Sequence, residues 1–439
     1  MTGTATEILE FVKENDIKFI RLRFCDILGT QKNISIMAEE LESAFLSGVS
    51  FDAHSILGFN DITRSDLFLF PDPATLAVLP WRPGPGRVAR FYCDIKNPDG
   101  SEFLHDGRAL LKRTVESAGK MGYTCKIGAE CEFYLFNTND NGEPTCVPFD
   151  KGGYLDIAPL DRCEDVRREI CLTLEEMGIK PETSHHEQGP GQNEVDFRFS
   201  DALQSADNLQ TFKSVVKAIA SRNGLFASFM PKPIPDAAGS GMHVNLSLVK
   251  NERNIFMNTI EGHANISESF IAGILAKTPE ITAFLNPLIN SYERLGKFDA
   301  PKYVSWSHQN RSQLIRIPSA AGNKMRIELR SPDPAINPYL SFALIIAAGL
   351  EGINNDMALM SAVDANLYTA DESFTKTLVI LPECLDKAIV LAQNSEFVKS
   401  IIGEDLLLKY LEIKKTEAGE YNATDDRLKF HREWYFFST

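Results

Sequence analysis

Glu130 and Glu132 lie two residues apart in Lys126–Phe136, a short run rich in apolar and aromatic residues that reads as a strand. Successive strand side chains face opposite ways. The two carboxylates therefore share a face, about 7 Å apart at roughly 3.3 Å rise per residue, and Cys131 and Phe133 take the other face, toward a core. Two acids side by side in so apolar a strand repel each other unless a positive charge lies between or beside them; a divalent cation would supply it. A single Glu-x-Glu is ordinarily a solvated strand face, but here comparable patterns recur. His185-His186-Glu187 precedes a Gly-Pro-Gly turn at 189–191 and then Gln192–Phe199, which places Glu194, Asp196 and Arg198 on one face. Gly239–Leu248 places His243, Asn245 and Ser247 on one face and Val244, Leu246 and Leu248 on the other. Met325–Arg330 groups Arg326, Glu328 and Arg330, and Asn310–Pro318 offers Arg311 and Arg316.

Hard carboxylate oxygens with a single imidazole suit Mg²⁺ or Mn²⁺ rather than zinc. Arginines beside such ions grip phosphate and carboxylate groups bidentately. Together they equip phosphoryl transfer, where catalysis is mainly positioning and charge neutralisation. Taken singly, each pattern has an ordinary explanation: a satisfied polar His185 or His186, a self-neutralising Arg326–Glu328–Arg330 ladder, a glycine turn at Gly239–Gly241. Their concurrence carries the reading.

These side chains need elements that bring them together. Several strands, each polar on one face and apolar on the other, predict a curved antiparallel sheet lining a funnel, with helices behind it. A helix is expected from Asp106 to about Gly119, and others near 161–177, 207–222, 265–276, 338–352 and 382–393. Upstream, Thr4 and Glu7 have capping-box spacing and open a short amphipathic helix. Strands are expected near Phe19–Ile27, Lys32–Met37, Leu67–Phe70, Thr75–Leu79 and Arg87–Cys93, with a helix near Glu39–Leu46 and a Pro-Gly loop at Pro83–Gly86. This is a small sheet-rich domain. The boundary falls just after the Asn97–Gly100 turn, giving domains 1–103 and 104–439. The aromatic C-terminus, Arg427–Thr439, is expected to dock on its own subunit or a neighbour.

The 439 residues carry a formal net charge of −15, which argues against nucleic acid or an anionic membrane as partner, since both ask for a basic face. The eight cysteines are scattered without a C-x-x-C pair, so neither a zinc site nor a disulfide scaffold is indicated. Met1–Glu7 lacks the basic and apolar regions of a signal peptide, and the most apolar run, Tyr339–Leu350, is too short to span a bilayer. A cytoplasmic protein is the expectation.

Ile127-Gly-Ala-Glu-Cys-Glu-Phe133, His185-His-Glu-Gln-Gly-Pro-Gly-Gln-Asn-Glu194, Gly239-Ser-Gly-Met-His243, Asn310-Arg-Ser with Ile315-Arg-Ile-Pro318, and Arg326-Ile-Glu-Leu-Arg-Ser-Pro-Asp-Pro334 with Asn337-Pro-Tyr-Leu340 resemble the signatures of the bacterial type I glutamine synthetase family. The resemblance runs in order over nearly the whole chain. It implies an α+β fold: a small β-grasp N-terminal domain, and a large catalytic domain whose curved antiparallel sheet forms the active-site funnel, backed by helices. It implies a homo-oligomer of two stacked hexameric rings, a dodecamer, with each site shared between neighbours. The implied reaction is ATP-dependent ligation of ammonia to the γ-carboxylate of L-glutamate through γ-glutamyl phosphate, giving glutamine, ADP and phosphate.

Carried over by position, Glu132, Glu187 and Glu194 would hold one Mg²⁺ or Mn²⁺, and Glu130, His243 and Glu328 a second, of two or three ions in all. Arg311, Arg316 and Arg326 would face the ATP phosphates and the transferred phosphoryl group, with Asn245 and Ser247 on the nucleotide side. Arg294 and Arg330 would hold glutamate, with Gly239. Asp52 of a neighbouring subunit would bind and deprotonate ammonium, with Asp66 and Tyr154 around that pocket. Asp299 matches an acid that shields the intermediate and takes a proton.

Four positions depart from the pattern. Asn245 stands for a usual histidine, Ala238 for asparagine, Asp299 for glutamate, and Ala53-His54 for Gly-Ser. The first bears on nucleotide affinity and the others on substrate. A γ-glutamyl-amine ligase of polyamine type is therefore the second reading, and a non-catalytic relative the third. The complete metal set favours an enzyme, and Asp52 favours ammonia. Tyr368 resembles the family's adenylylated tyrosine, but Ala370–Ser373 lacks the usual Pro-Pro, which argues against that regulation.

Overall fold

The computed structural model describes residues 3–82, 84–257, 265–320 and 322–439. Pro83, the first residue of the expected Pro-Gly loop, lies outside the described residues.

The chain opens with a helix over Ala5–Glu14. Thr4 accepts a hydrogen bond from the Glu7 N–H, and the Glu7 carboxylate accepts one from the Thr4 N–H at 2.6 Å, so the capping box forms as its spacing predicts. Six strands follow: β1 (Ile17–Cys25), β2 (Gln31–Met37), β3 (Val49–Asp52), β4 (Asp66–Pro71), β5 (Ala77–Val78) and β6 (Arg87–Lys96). They form a β-grasp sheet in the order β2-β1-β6-β4-β3, with β5 beside β6 and the central β1–β6 pair parallel. The strand expected over Thr75–Leu79 shrinks to Ala77–Val78. Pro73 lacks an N–H to give a ladder, and the Asp72 carboxylate caps a 3₁₀ turn over Pro73–Thr75 instead.

The second sheet has eleven strands: β7 (Thr124–Thr138), β8 (Pro144–Pro148), β9 (Pro181–His186), β10 (Gln192–Phe197), β11 (Ser200–Asp201), β12 (Leu225–Ser228), β13 (Met242–Lys250), β14 (Arg253–Asn254), β15 (Trp306–His308), β16 (Ile315–Ile317) and β17 (Ile327–Leu329). Its main path runs β15-β16-β17-β13-β7-β10-β9, antiparallel throughout except for the parallel β15–β16 pair. Alternate residues of β7 (Cys125, Ile127, Ala129, Cys131, Phe133 and Leu135) are all buried. Phe133 packs on Phe212, from the helix over Ala202–Arg222, and on Phe229, with ring centroids 6.0 and 5.8 Å away. That layer holds the opposite face of β7, with its two glutamates, toward the cavity.

The helix expected near 265–276 runs on to Leu285 with Pro279 inside it. It packs against the helix over Pro338–Asn354 so closely that a Cβ on Gly352 would come within 2.0 Å of the Ser269 carbonyl oxygen. The C-terminus docks on its own chain, with Phe436 edge-on to Phe136 at 4.9 Å. Arg108 joins the two sheets, donating to Asp72 and Asp94 of the N-terminal part and to Asp207 on the Ala202–Arg222 helix at 2.7–3.1 Å. Among the described residues no helix is long and apolar enough to cross a membrane.

Candidate active site

Strand register decides what meets what. In one row across the sheet His185 faces Glu194, which faces Glu132. In the next, Thr183 faces Asp196, which faces Glu130, which faces His243. In a third, Arg316 faces Glu328, which faces Asn245. Directly opposed residues have Cβ atoms about 4.5–5.5 Å apart, and like charges so placed destabilise a sheet. Two acid–acid pairs, Glu132/Glu194 and Glu130/Asp196, thus stand side by side on the polar face of one strand pair.

These rows open onto a cavity of about 370 Å³. It gathers Glu130, Glu132, Glu187, Glu194 and His243 with Arg294, Arg311, Arg316, Arg326 and Arg330, and Gly239, Tyr154 and Asp299 line it too. Glu328 lies beneath the floor, 1% exposed, bonded to Arg330 Nη1 at 2.5 Å and to Arg316, with His243 Nδ1 at 3.9 Å. Asn245 joins from the side, donating to Glu130 Oε1 at 2.8 Å and accepting from Arg326 Nε at 2.8 Å. Glu132 accepts from Gln192 Nε2 at 2.8 Å and from the Gly241 N–H at 2.9 Å. Neither Gly239 nor Gly241 has room for a side chain: a Cβ on Gly241 would meet Arg294 Nη2 at 2.5 Å, and one on Gly239 would meet the Pro231 carbonyl at 2.6 Å.

The acid rows repel one another. Burial, with the Glu187 charge beside it, pushes the Glu132 carboxyl up to about 8. Burial and the neighbouring Asp196 raise Glu194 well above the carboxylate range, and burial with Glu130 raises Asp196 to about 7. Burial also works against Glu130, but hydrogen bonds from His243 and Asn245 and the Arg326 charge hold it at about 2. Burial and the Arg330 charge depress His243, which keeps its imidazole neutral and able to ligate. Asp196 Oδ1 is buried with no hydrogen-bond partner.

At this cavity two sets of donor atoms converge within 4.8 Å, Glu130, Glu194 and His243, and His185, Glu187 and Glu194; a third, Asp150, Asp161, Cys163 and His186, lies buried away from it. Oxygen-rich clusters with one imidazole each, made of repelling acids and set beside the orphaned Asp196 oxygen, fit hard divalent cations. The arginines across the cavity fit phosphate or carboxylate.

Ser247, Asp52, Asp66, Arg198 and His186 stand apart from this cavity. Ser247 is buried in β13 without lining the cavity. Asp52 and Asp66 face each other across β3 and β4, and Asp52 lines a separate hollow of about 620 Å³ with Arg23, Lys32 and Asn33. Arg198, past the end of β10, is exposed and lies 3.7 Å from Glu182. His186 is fully buried on Asp150, 2.9 Å away, as a satisfied polar residue. Sequence reasoning left out Gln192, which shares the face of Glu194 and Asp196 by the same period of two. It also left out Gln188, Lys297 and Phe298, which line the cavity from loops that have no period to read.

The family model described as "Glutamine synthetase, catalytic domain" matches residues 104–433, and that described as "Glutamine synthetase, beta-Grasp domain" matches residues 16–98. Glutamine synthetase of Methanosarcina mazei is 49% identical over 426 residues, covering 96% of this chain and 95% of that protein. Glutamine synthetase of Clostridium saccharobutylicum is 46% identical over 425 residues, covering 96% of each. A solved structure titled a GmaS/ADP complex superposes with a TM-score of 0.88 at 30% identity, covering 99% of each chain. With both of its domains matched and near-complete relatives at this identity, the chain belongs to the glutamine synthetase family.

Proposed function

We propose that this chain is a glutamate–ammonia ligase. The γ-carboxylate of L-glutamate attacks the γ-phosphorus of ATP and ADP leaves. Ammonia then attacks the γ-carboxyl carbon of the γ-glutamyl phosphate, phosphate leaves, a proton is lost, and glutamine is released. Family membership with near-complete glutamine synthetase relatives supports this reaction. The observation that carries it into the cavity is the pair of opposed acid rows facing a wall of arginines.

In this reading Glu132, Glu187 and Glu194, with His185 beside them, hold one Mg²⁺ or Mn²⁺, and Glu130, His243 and Glu328 hold another. Such ions, when bound, neutralise triphosphate charge and polarise the transferred phosphoryl group. Arg311, Arg316 and Arg326 orient the phosphates, and Asn245 fixes Arg326. Arg294 and Arg330 grip the glutamate carboxylates, with Gly239 leaving room and Tyr154 at the rim. Asp299 covers the γ-position. Asp52, with Asp66, belongs to the N-terminal domain, 1–103, and reaches the catalytic domain, 104–439, of a neighbouring copy, where it takes the ammonium proton. The reading includes a homo-oligomer of two stacked six-membered rings and a cytoplasmic location; the shared Asp52 itself needs only a neighbouring copy.

The test is phosphate release from ATP with glutamate and Mg²⁺ or Mn²⁺, first with ammonium and then with a panel of amines. Ammonium-dependent release with equimolar glutamine is the expected result. Release only with an organic amine would move the reading to a γ-glutamyl-amine ligase.

A further inference from the structure

Gln188 follows Glu187 in the turn between β9 and β10, on one wall of the cavity. Its Nε2 donates a 2.5 Å hydrogen bond to Asp299 Oδ2, on a loop 111 residues away that forms the opposite wall. That loop is already fixed from below. The Lys297 N–H donates to the Arg294 carbonyl and the Ala300 N–H to the Lys297 carbonyl, both at 3.1 Å. Phe298 is held at φ +52°, a left-handed conformation uncommon for a bulky residue, and Lys232 Nζ sits 4.4 Å from its ring centroid. Arg330 Nη2 donates to the Asp299 carbonyl at 3.2 Å. Conformations of this kind persist where the surroundings over-determine them. The backbone of residue 299 is therefore set, and the remaining freedom lies in its side chain. Asp299 and Gln188 are both exposed cavity-lining residues, so their hydrogen bond spans the mouth from wall to wall.

We propose that Gln188 is a positioning residue that holds the Asp299 carboxylate across the mouth, so that γ-glutamyl phosphate meets ammonia rather than water. The inference rests on the ligase reading above. The side reaction at stake is simple: a water oxygen bonds to the γ-carboxyl carbon, the bond from that carbon to the phosphate oxygen breaks, and phosphate leaves with the electron pair, returning glutamate. A closed mouth suppresses it by excluding water. Asp299 is short, and Gln188 supplies the reach from the other wall.

The experiment measures phosphate released per glutamine formed at limiting ammonium, in the parent, Gln188→Ala and Gln188→Met. Methionine keeps the bulk and removes the donor. Both variants are expected to raise the ratio about fivefold, the factor that ~1 kcal/mol of tethering converts to, while the KM for ATP stays put. Gln188→Ala added to Asp299→Ala is expected to change nothing further, because the tether has no second end. An unchanged ratio, or additive effects in the double variant, would overturn the proposal. The NMR resonance of the Asp299 side-chain carboxyl reads the tether without any assay of turnover. A shifted resonance in Gln188→Ala supports it, and an unchanged resonance refutes it, even if the parent makes no glutamine and the ligase reading itself fails.

Discussion

Asn245 Nδ2 donates a 2.8 Å hydrogen bond to Glu130 Oε1, while its Oδ1 accepts from Arg326 Nε at the same distance. One amide thus couples an acid of the opposed carboxylate rows to an arginine across the cavity. An amide can do both at once because it offers a donor and an acceptor on one planar group. Asn245→Ala cuts both links and frees the Arg326 side chain. The expected outcome is a KM for ATP raised roughly tenfold, the scale of about 1.5 kcal/mol for a hydrogen bond to a charged group, with a smaller effect on the KM for glutamate. Initial-rate kinetics in each substrate checks it. Equal rises in both constants would detach Asn245 from the nucleotide side.

Glu328 is buried between two arginines, and its carboxylate is the centre of the third row. Glu328→Gln keeps its shape but leaves Arg316 and Arg330 without the counter-charge. Metal-dependent ATP turnover is expected to fall by more than about a hundredfold, and stability by about 3 kcal/mol, as for a buried pair stripped of one partner. A Mg²⁺ or Mn²⁺ titration of turnover, beside a thermal melt, separates the two effects. Unchanged turnover would remove Glu328 from the metal set.

The legible part of this chain was the part with a period. Glu130/Glu132, Glu194/Asp196 and His243/Asn245 alternate along β7, β10 and β13, and pairing places them in register as the alternation requires. Arg326 lies outside its strand: β17 is only Ile327–Leu329, and the arginine reaches the cavity through its length and the Asn245 contact. The loop bearing Lys297, Phe298 and Asp299 was opaque apart from the family match at Asp299. Its shape comes from Arg330, Lys232 and Gln188, residues remote in sequence. Which strands neighbour which was opaque as well, since register depends on the whole sheet.

Asp52 stands off the cavity within one chain, beside His54, whose Nδ1 lies 3.1 Å from its Oδ2. If a neighbouring copy uses it, Asp52→Ala raises the KM for ammonium far more than that for ATP. Co-expressed Asp52→Ala and Glu328→Gln subunits would then regain activity, because about a quarter of sites in evenly mixed rings pair an intact donor with an intact acceptor. Each variant alone stays low. Mixed oligomers no more active than either parent would place Asp52 outside the shared site.

Asp106 caps the helix over Gly107–Lys120, accepting from the Arg108 N–H at 2.9 Å and from the Ile95 N–H at 3.0 Å. It is fully enclosed, and burial with the nearby Asp94 charge pushes its carboxyl up to about 6, from the ordinary value of about 4. A raised carboxyl means that the folded state binds the proton more tightly than the unfolded chain. The stabilising term is therefore fully present below pH 4, and is lost as pH rises through about 6. The difference amounts to about 3 kcal/mol between these limits. Asp106→Asn removes the titration but leaves one of the two amides unpaired, at a cost of about 1–2 kcal/mol at every pH. The diagnostic quantity is hence the melting-temperature difference between variant and parent, measured at pH 5 and at pH 7.5. It should move in favour of the variant at the higher pH. A difference that stays constant across that range would mean that Asp106 titrates as an ordinary carboxyl, with the Ile95 and Arg108 amides outweighing its burial.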